Sequence, residues 1–459
     1  MTQPADTDHG RRSGAIGRWR SVVLAGIALQ AALMISLSPP AAAQPAPNAR
    51  PLGGVVVGGA ATISQSASTT TILQSTNRAA ANWQSFNVGS QQIVSFEQPN
   101  ASAITLNTVV GPNPSQIAGK IDANGQVALV NQSGVTFYKG SQVNTAGLAV
   151  STAGADTAGV NQFVKGGKLV LNQPGKPNAG VSNAGMITVA QAGLAALVAP
   201  QVANSGTITA RLGHIVLAGA KTATLDLNGD GLLSVAVIGK VTKTPTGATA
   251  LVTNTGTITA DGGTVQLTAK AADGILQTLL QAGGKISANT VGARTGTVVL
   301  KSVGGSIVVT GQLAALGGAA GTTGGSIEVD GNDNVTVAAT SGVDASGQAG
   351  GGVPATGTTL ARARGGPSAT SALTAANTTI ASGATISADA TANGNGGTVT
   401  VLSSGHTSVA GGINARGGPQ GGNGGLVEES GATLSPTGPV DVSAPMGSAG
   451  TVLLDPSAK

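Results

Sequence analysis

Short segments in which apolar and polar residues alternate recur along most of the chain after residue 163. SNAGMITVA at 182–190 returns as ANSGTITAR at 203–211 and as TNTGTITAD at 253–261. Alternation with a period of two indicates half-buried β-strands, and a recurrence near 20 residues indicates a solenoid. The pattern therefore predicts an all-β chain whose short strands stack coil upon coil as a parallel β-helix with glycine-rich corners.

The spacing of three asparagines gives a first estimate of coil length. Asn183 and Asn204 are 21 residues apart, and Asn204 and Asn254 are 50 residues apart. We interpret the first interval as one coil and the second as two coils with an insertion. The three side chains are expected at equivalent corners, where capping of turns is favoured over ligand binding. About 15 coils would give a shaft of roughly 70 Å.

Composition supports a thin β core. The 459 residues include 72 glycines, only 9% are charged, and the mean hydropathy is +0.22. Disordered chains combine low hydropathy with high charge, so this composition excludes a long solvated tail. Val, Ile, Leu and Ala are expected to fill the interior. Residues 345–372 contain few large apolar residues and are predicted to form a mobile loop.

The aromatic residues are concentrated near the N-terminal end of the predicted solenoid, and none follows Phe163. The first coil of a solenoid exposes an unpaired edge and needs a cap that is built differently. Residues 82–153 are therefore predicted to be this cap. The side chains expected to pack it are Trp83, Phe86, Phe96, Phe137 and Tyr138.

Residues 1–43 have the features of a secretory signal peptide. Four arginines precede an uncharged apolar run at 21–38, and two prolines then lead into three alanines. This order predicts cleavage between Ala43 and Gln44. The alternative is an uncleaved membrane anchor, for which the apolar run is barely long enough. The chain has no cysteine, which suits a protein that crosses the periplasm unfolded.

Catalytic and metal-binding motifs are weak. Residues 226–231 match the first half of a calcium loop, but Val237 stands where that loop needs glutamate, so a turn between two strands is favoured. No metal, cofactor or enzyme activity is therefore predicted. The remaining enzymatic alternative is a polysaccharide-active β-helix, which would need carboxylates clustered with Lys or Arg on one face.

Charge gives little indication of a partner. Without residues 1–43 the chain has 19 basic and 16 acidic residues. Arg362 and Arg364 form the nearest approach to a basic patch, and we interpret them as part of a solvated loop. Nucleic acid is therefore not an expected partner.

Residues 82–153 resemble the haemagglutination-activity domain of filamentous-haemagglutinin-like exoproteins, which use two-partner secretion. NWQSFNVG at 82–89 resembles the entry strand of that domain, and the segment 102–140 resembles its central block. Two short motifs also correspond. Residues 98–101 stand where some members have Asn-Pro-Asn-Leu, and residues 131–135 stand where the family has Asn-Pro-Asn-Gly-Ile. The residues at these positions are Gln98, Pro99, Asn100, Ala101, Asn131, Gln132, Ser133, Gly134 and Val135.

The resemblance implies a right-handed parallel β-helix exported through an outer-membrane β-barrel transporter whose periplasmic domains bind the N-terminal region. The resemblance also implies that the two motifs take part in recognition by the transporter and in secretion. We expect a two-partner-secretion domain at 44–300 and a glycine-rich β-helical region at 301–459.

The resemblance also implies a Gram-negative bacterial protein that is secreted or displayed at the cell surface after passing through the periplasm. The expected role is adhesion or aggregation, through a receptor or glycan that the sequence does not identify. The alternatives are a polysaccharide-active enzyme, or a fragment of a larger adhesin or toxin-delivery exoprotein.

Overall fold

The computed structural model describes residues 44–227, 233–237, 239–365 and 374–456. The chain divides into two units, Met1–Ala43 and Gln44–Lys459, and the described residues belong to the second. The predicted signal peptide and Ala43 therefore lie outside the described residues. Within the described ranges, no helix combines the length and apolar character needed to cross a membrane.

Three long sheets wind around one interior and confirm the predicted parallel β-helix. The first sheet has 14 strands. In sheet order they are β1 (Val55–Gly58), β4 (Arg78–Trp83), β6 (Ile104–Val109), β9 (Gln126–Asn131), β12 (Gly147–Ser151), β16 (Leu194–Ala199), β19 (His214–Gly219), β24 (Thr264–Lys270), β27 (Thr297–Val303), β30 (Ser326–Gly331), β33 (Val353–Thr356), β36 (Thr398–Leu402), β39 (Leu426–Ser430) and β42 (Thr451–Asp455).

The second sheet also has 14 strands and follows the third sheet along each coil. Its strands are β2 (Ala61–Gln65), β3 (Thr69–Gln74), β5 (Ile93–Glu97), β8 (Lys120–Ala123), β11 (Gln142–Thr145), β15 (Met186–Val189), β18 (Thr207–Thr209), β23 (Thr257–Thr259), β26 (Lys285–Ser287), β29 (Gln312–Ala314), β32 (Gly342–Asp344), β35 (Thr385–Ser387), β38 (Gly412–Asn414) and β41 (Val440–Asp441).

The third sheet has 11 strands. They are β7 (Ser115–Ile117), β10 (Val135–Phe137), β14 (Gly180–Asn183), β17 (Gln201–Asn204), β22 (Val252–Asn254), β25 (Thr278–Ala282), β28 (Ser306–Val309), β31 (Asn334–Val337), β34 (Asn377–Ile380), β37 (His406–Val409) and β40 (Thr433–Pro436). A small antiparallel sheet holds β13 (Leu169–Leu171), β20 (Ala223–Leu227) and β21 (Leu233–Val237), and the helices are α1 (Thr157–Val164) and α2 (Leu360–Ala363).

The described shaft is shorter than the sequence predicts. From β4 to β42 the first sheet contributes thirteen strands in parallel register, and their twelve spacings of about 4.8 Å span roughly 58 Å. One cause is the interval between Asn204 and Asn254. These residues are direct partners on adjacent strands, so the 50 residues make one coil with a large insertion and the two-coil interpretation was wrong.

The N-terminal cap is built by residues that the sequence argument did not select. Strand β1 pairs antiparallel with β4, and β2 pairs antiparallel with β3, so these two strands close the first coil. The predicted cap, residues 82–153, instead forms parallel coils. The five aromatic side chains assigned to the cap are all buried, and Trp83, Phe86, Phe96 and Phe137 belong to the interior core.

The predicted mobile loop at 345–372 is also wrong for its described part. Residues 353–356 form β33 inside the first sheet, and residues 360–363 form α2. Pro354 fits because the pairing of β33 with β36 starts only at Ala355, so the missing amide hydrogen of proline interrupts no register pair with that neighbour. Residues 366–372 of that prediction lie outside the described residues.

Glycine occupies corners where successive coils touch. A Cβ built on Gly352 would stand 2.0 Å from the carbonyl oxygen of Gly325, and one on Gly397 would stand 2.1 Å from that of Gly352. The same contact continues to Gly425, where a Cβ would lie 2.0 Å from the oxygen of Gly397. Because real Cβ atoms never approach backbone oxygens this closely, only glycine allows these coils to stack at the normal strand spacing.

The three asparagines form an amide ladder inside the coils. Asn183 Nδ2 donates to Asn204 Oδ1 at 2.8 Å, and Asn204 Nδ2 donates to Asn254 Oδ1 at 2.8 Å. The ladder ends where Asn254 Nδ2 donates to the carbonyl of Gly283 at 2.7 Å. All three side chains are buried, and each also donates within its own turn. The ladder is thus a structural feature of the corner.

Replacing the central asparagine should destabilise the helix strongly. In Asn204→Ala, the amide of Asn183 and the carbonyl of Asn254 would lose their partners in a buried site. Each unsatisfied group costs about 1–3 kcal/mol. We expect a lowered free energy of unfolding in urea, whereas Asn144→Ala, at an exposed position, should have little effect. Equal stability of the two variants would contradict this role.

Candidate functional site

The first motif, residues 98–101, forms the corner between β5 and β6. Gln98 is buried, and its Nε2 donates to the carbonyls of Ala103 and Gln126 at 3.1 and 2.9 Å. Asn100 Oδ1 accepts from the amides of Ser102 and Ala103 at 3.0 and 2.9 Å, closing an Asx turn. Pro99, Asn100 and Ala101 are exposed. One residue of the motif thus holds the corner, and three are presented to solvent.

The second motif, residues 131–135, forms the corner between β9 and β10. Asn131 is fully buried, and its Nδ2 donates to the Asn113 carbonyl and to Ser115 Oγ at 3.0 and 2.9 Å. Its Oδ1 accepts from the amide of Ser133 at 2.8 Å. Gly134 has a φ of 114°, a conformation that favours glycine. Asn131 and Gly134 therefore shape the turn.

The two residues that depart from the family pattern also make specific contacts. Gln132 Nε2 donates to the carbonyls of Gln173 and Pro174 at 3.2 and 3.1 Å. Ser133 Oγ donates to the carbonyl of Pro112 at 2.7 Å. Gln132 is exposed and Ser133 is partly exposed. These contacts tie the second motif to both neighbouring corners of the chain.

The structure does not bring the two motifs together. They flank opposite ends of β9, because Gln98 bonds to Gln126 at its start and Asn131 is its last residue. A six-residue strand separates them by about 17 Å. A partner that contacts both exposed corners must therefore span one full strand of the first sheet.

Each motif borders a groove. The first groove, of about 660 Å³, is lined by residues of β3, β5, β8 and β11 together with Gln98 and Pro99. Leu73 is 53% exposed beside it, and Glu97 and Asp122 give it an acidic character. The second groove, of about 410 Å³, is polar and is lined in part by Ser133, Gly134 and Val135. Both grooves are open surfaces of the kind that can contact a macromolecule. Among the described residues there is no group of three metal-ligating side chains.

An added layer covers the outside of the first sheet near the motifs. Helix α1 and the small sheet β13–β20–β21 bury a second apolar cluster that includes Leu106, Val130 and Phe163. Arg78 fixes this layer to the first coil, since its Nη1 donates to the carbonyls of Phe163 and Gly167 at 2.7 Å each. This layer of one helix and three short strands was not predicted from the sequence. The uninterrupted apolar strand Leu194–Ala199 was the available signal, because such strands are buried on both faces.

Two strands of this layer precede and follow the segment that resembles half a calcium loop in the sequence. Strands β20 and β21 pair antiparallel, with Leu227 opposite Leu233, so two strands flank the segment as expected. Residues 228–231 lie outside the described residues.

A charged network occupies the same outer face farther along the shaft. Arg362 of α2 forms a two-pronged ion pair with Glu428, and Arg364 donates to Ser326 Oγ. The interpretation of these arginines as part of a solvated loop was therefore wrong. Lys301 Nζ lies 2.8 Å from Glu328 Oε1, and Glu328 Oε2 accepts from the Leu360 amide at 2.9 Å. The described charges of this network hold α2 on the sheet.

The network has the composition that a polysaccharide-active enzyme would need, but its carboxylates are covered. Glu328, Asp330 and Glu428 are 5%, 0% and 7% exposed. A general acid or base must reach its substrate within hydrogen-bonding distance. Burial beneath α2 denies these carboxylates that access, so no observation favours the enzymatic alternative.

Comparison with known proteins identifies the family. A family model described as the TPS secretion domain, where TPS denotes two-partner secretion, matches residues 49–315, more than half of the chain. The chain belongs to this family. The TPS match contains both motifs, the aromatic-filled first coils and the α1 layer.

Solved and curated relatives agree with this assignment. The TPS secretion domain of HMW1 from Haemophilus influenzae is similar with a TM-score of 0.71 and 26% identity, over 88% of this chain and 100% of that one. Two heme/hemopexin-binding proteins of Haemophilus influenzae are 46% and 39% identical over 82 and 119 residues. These matches cover 18% and 26% of this chain but only 9% and 13% of the relatives.

TPS exoproteins are secreted across the outer membrane of Gram-negative bacteria, and the chain is a member of that class. The names of these relatives describe secretion and binding, and none describes an enzyme. The prediction of a two-partner-secretion exoprotein is thereby confirmed at the level of the family.

Proposed function

We propose that the TPS domain of this chain is recognised by periplasmic domains of an outer-membrane β-barrel transporter, and that the exported β-helix serves adhesion or aggregation at the cell surface. The observation that carries the proposal is the TPS match over residues 49–315. The two motifs supply a surface for recognition, since Pro99, Asn100, Ala101 and Gln132 are exposed at corners whose shape is fixed from within.

The ligand of the heme/hemopexin-binding relatives is not part of the proposal. The segments shared with them are 82 and 119 residues long and make up only 9% and 13% of their length. Adhesion is proposed instead from the elongated form of the described coils, which would hold a distal surface about 58 Å from the first coil.

Recognition is testable by direct binding. The full chain should bind the isolated periplasmic domains of its transporter, and Ala101→Glu should weaken that binding, because it places a charge on an exposed corner of the first motif. Its melting temperature should not change. Gln420→Glu, at an exposed corner beyond residue 315, is the matched control and should bind normally. Equal affinity of both variants would refute a recognition role for this corner.

A further inference from the structure

The buried carboxylates that the structure describes lie in the part of the shaft beyond the TPS match. Among the described residues, all the acidic side chains classed as buried follow residue 315, where the match ends. They are Glu328, Asp330, Asp389, Glu428 and Glu429. The described part of the TPS region buries no acidic side chain. The two parts of one continuous β-helix therefore differ in whether carboxyl groups lie in the interior or beneath a covering layer.

Three of the five have a cationic partner. Asp389 accepts from Nη2 and Nε of Arg416 at 2.7 and 3.2 Å, Glu428 pairs with Arg362, and Glu328 pairs with Lys301. Each of these three buried carboxylates therefore lies next to a group of opposite charge, which offsets part of the cost of burying it.

Asp330 differs because its carboxylate has no such partner. It is fully buried on the outer face of β30, and within the described chain no side chain donates a hydrogen bond to its carboxylate. The backbone amide of Gly331 lies close enough to lower its pKa by hydrogen bonding. Lys301 lies opposite on β27 but pairs with Glu328, which shares the face of Asp330. The charges of α2 are also engaged, Arg362 with Glu428 and Arg364 with Ser326.

Glu429 points into the interior of the helix. It is in register with Val401 and Leu454, and it shares the inward face of β39 with Val427, a member of the core. It is 1% exposed, and within the described chain neither carboxylate oxygen has a partner. Glu428 and Asp455, the nearest charged residues on β39 and β42, lie on the outward face. The carboxyl group thus sits in a column of inward positions where the adjacent strands β36 and β42 place Val401 and Leu454.

We infer that the coils from β30 onward fold with Asp330 and Glu429 protonated, so that this distal half loosens as the pH rises through neutrality while the TPS half stays closed. An unpaired carboxylate costs far more free energy in an apolar interior than the neutral acid does. In a solenoid each coil contacts only its neighbours, so distal coils can open without unfolding the first ones.

The direction of the pH dependence follows from these environments. Burial, together with the charge of Glu328, raises the pKa of Asp330 from 3.8 to about 8, although the charge of Lys301 and the backbone amide of Gly331 oppose the rise. Burial raises the pKa of Glu429 from 4.5 to about 7. Because both folded values exceed the unfolded ones, folding takes up protons. The stabilisation is complete below about pH 4 and is lost as the pH rises through 7 to 8.

Hydrogen exchange of the full chain at pH 5.5 and pH 8.5 tests the inference, with protection factors corrected for intrinsic exchange. Peptides covering β30–β33 and β39–β42 should lose protection by about tenfold or more at pH 8.5. Peptides covering β6–β12 should not change. Protection factors of the β30–β33 and β39–β42 peptides that are equal at pH 5.5 and pH 8.5 would overturn the inference, whatever the behaviour of any variant.

Two variants assign the effect to the named side chains. Glu429→Gln should remove the pH dependence of the β39–β42 peptides, and Asp330→Asn should remove that of the β30–β33 peptides, because each amide keeps the shape of the acid without titrating. Glu97→Gln, which alters an exposed acid of the TPS half, is the matched control and should behave as the unmodified chain. Retention of the full pH dependence in both buried variants would also overturn the inference.

Discussion

Trp83→Ala is expected to lower the free energy of unfolding by about 3–5 kcal/mol, the usual cost of truncating a large buried aromatic residue. The ring is fully buried and meets Phe86 edge to face, with centroids 5.4 Å apart. Its Nε1 donates to the buried Asn107 at 3.0 Å. A Cβ on Gly54 would stand 2.5 Å from the ring, so the N-terminal segment rests directly on it.

The variant should therefore loosen the cap as well as the core. We expect urea denaturation monitored by circular dichroism to show the loss of stability, and hydrogen exchange of β1 to rise more than that of the distal coils. Leu73→Ala is the matched control, because Leu73 is 53% exposed in the same region and should change stability by less than about 0.5 kcal/mol. If Trp83→Ala were as mild as the control, the assignment of Trp83 as the support of the cap would be wrong.

Gly352→Ala should be nearly as damaging, at about 3 kcal/mol or more, because the added methyl overpacks a corner that cannot relax. The atom it meets is the backbone oxygen of Gly325, 2.0 Å from the Cβ position, and the oxygen of Gly352 itself lies 2.1 Å from the Cβ position of Gly397. The added methyl group can avoid this clash only if the coils that contain Gly325, Gly352 and Gly397 move apart. The loss should appear as a lower melting temperature with little change in the spectrum of the folded state.

Gly318→Ala provides a close control for this second variant. Gly318 is exposed, has ordinary backbone angles, and would place its Cβ in open space. The same chemical change should therefore alter stability by no more than about 0.5 kcal/mol. A similar effect at the two positions would show that coil contact is not the reason for glycine in this chain.

The fold was largely predictable because alternation and glycine spacing are local properties. TITAR at 207–211 and TITAD at 257–261 specify a strand and its corner without reference to the rest of the chain. The cap was not predictable in the same way, because β1 and β2 have ordinary strand sequences and only their antiparallel pairing makes them a cap. The interval between Asn204 and Asn254 was misinterpreted because its 50 residues are close to the length of two 21-residue coils with a short insertion.

The candidate site was predictable only as far as the resemblance reached. The turn-forming roles of Asn131 and Gly134 agree with their residue types, but the burial of Gln98 and its bond to β9 depend on a coil formed 28 residues later. The pairing of Arg362 with Glu428 joins residues 66 positions apart. Such contacts arise from coil stacking, which sequence spacing estimates but does not define where insertions intervene.

Secretion of the full chain with and without its outer-membrane transporter tests most directly whether this TPS domain directs export. We expect a Gram-negative host to release the protein to its surface or medium only when the transporter is present, and to hold it in the periplasm otherwise. Release that does not depend on the transporter, or retention in the periplasm when the transporter is present, would contradict the claim that this TPS domain directs export.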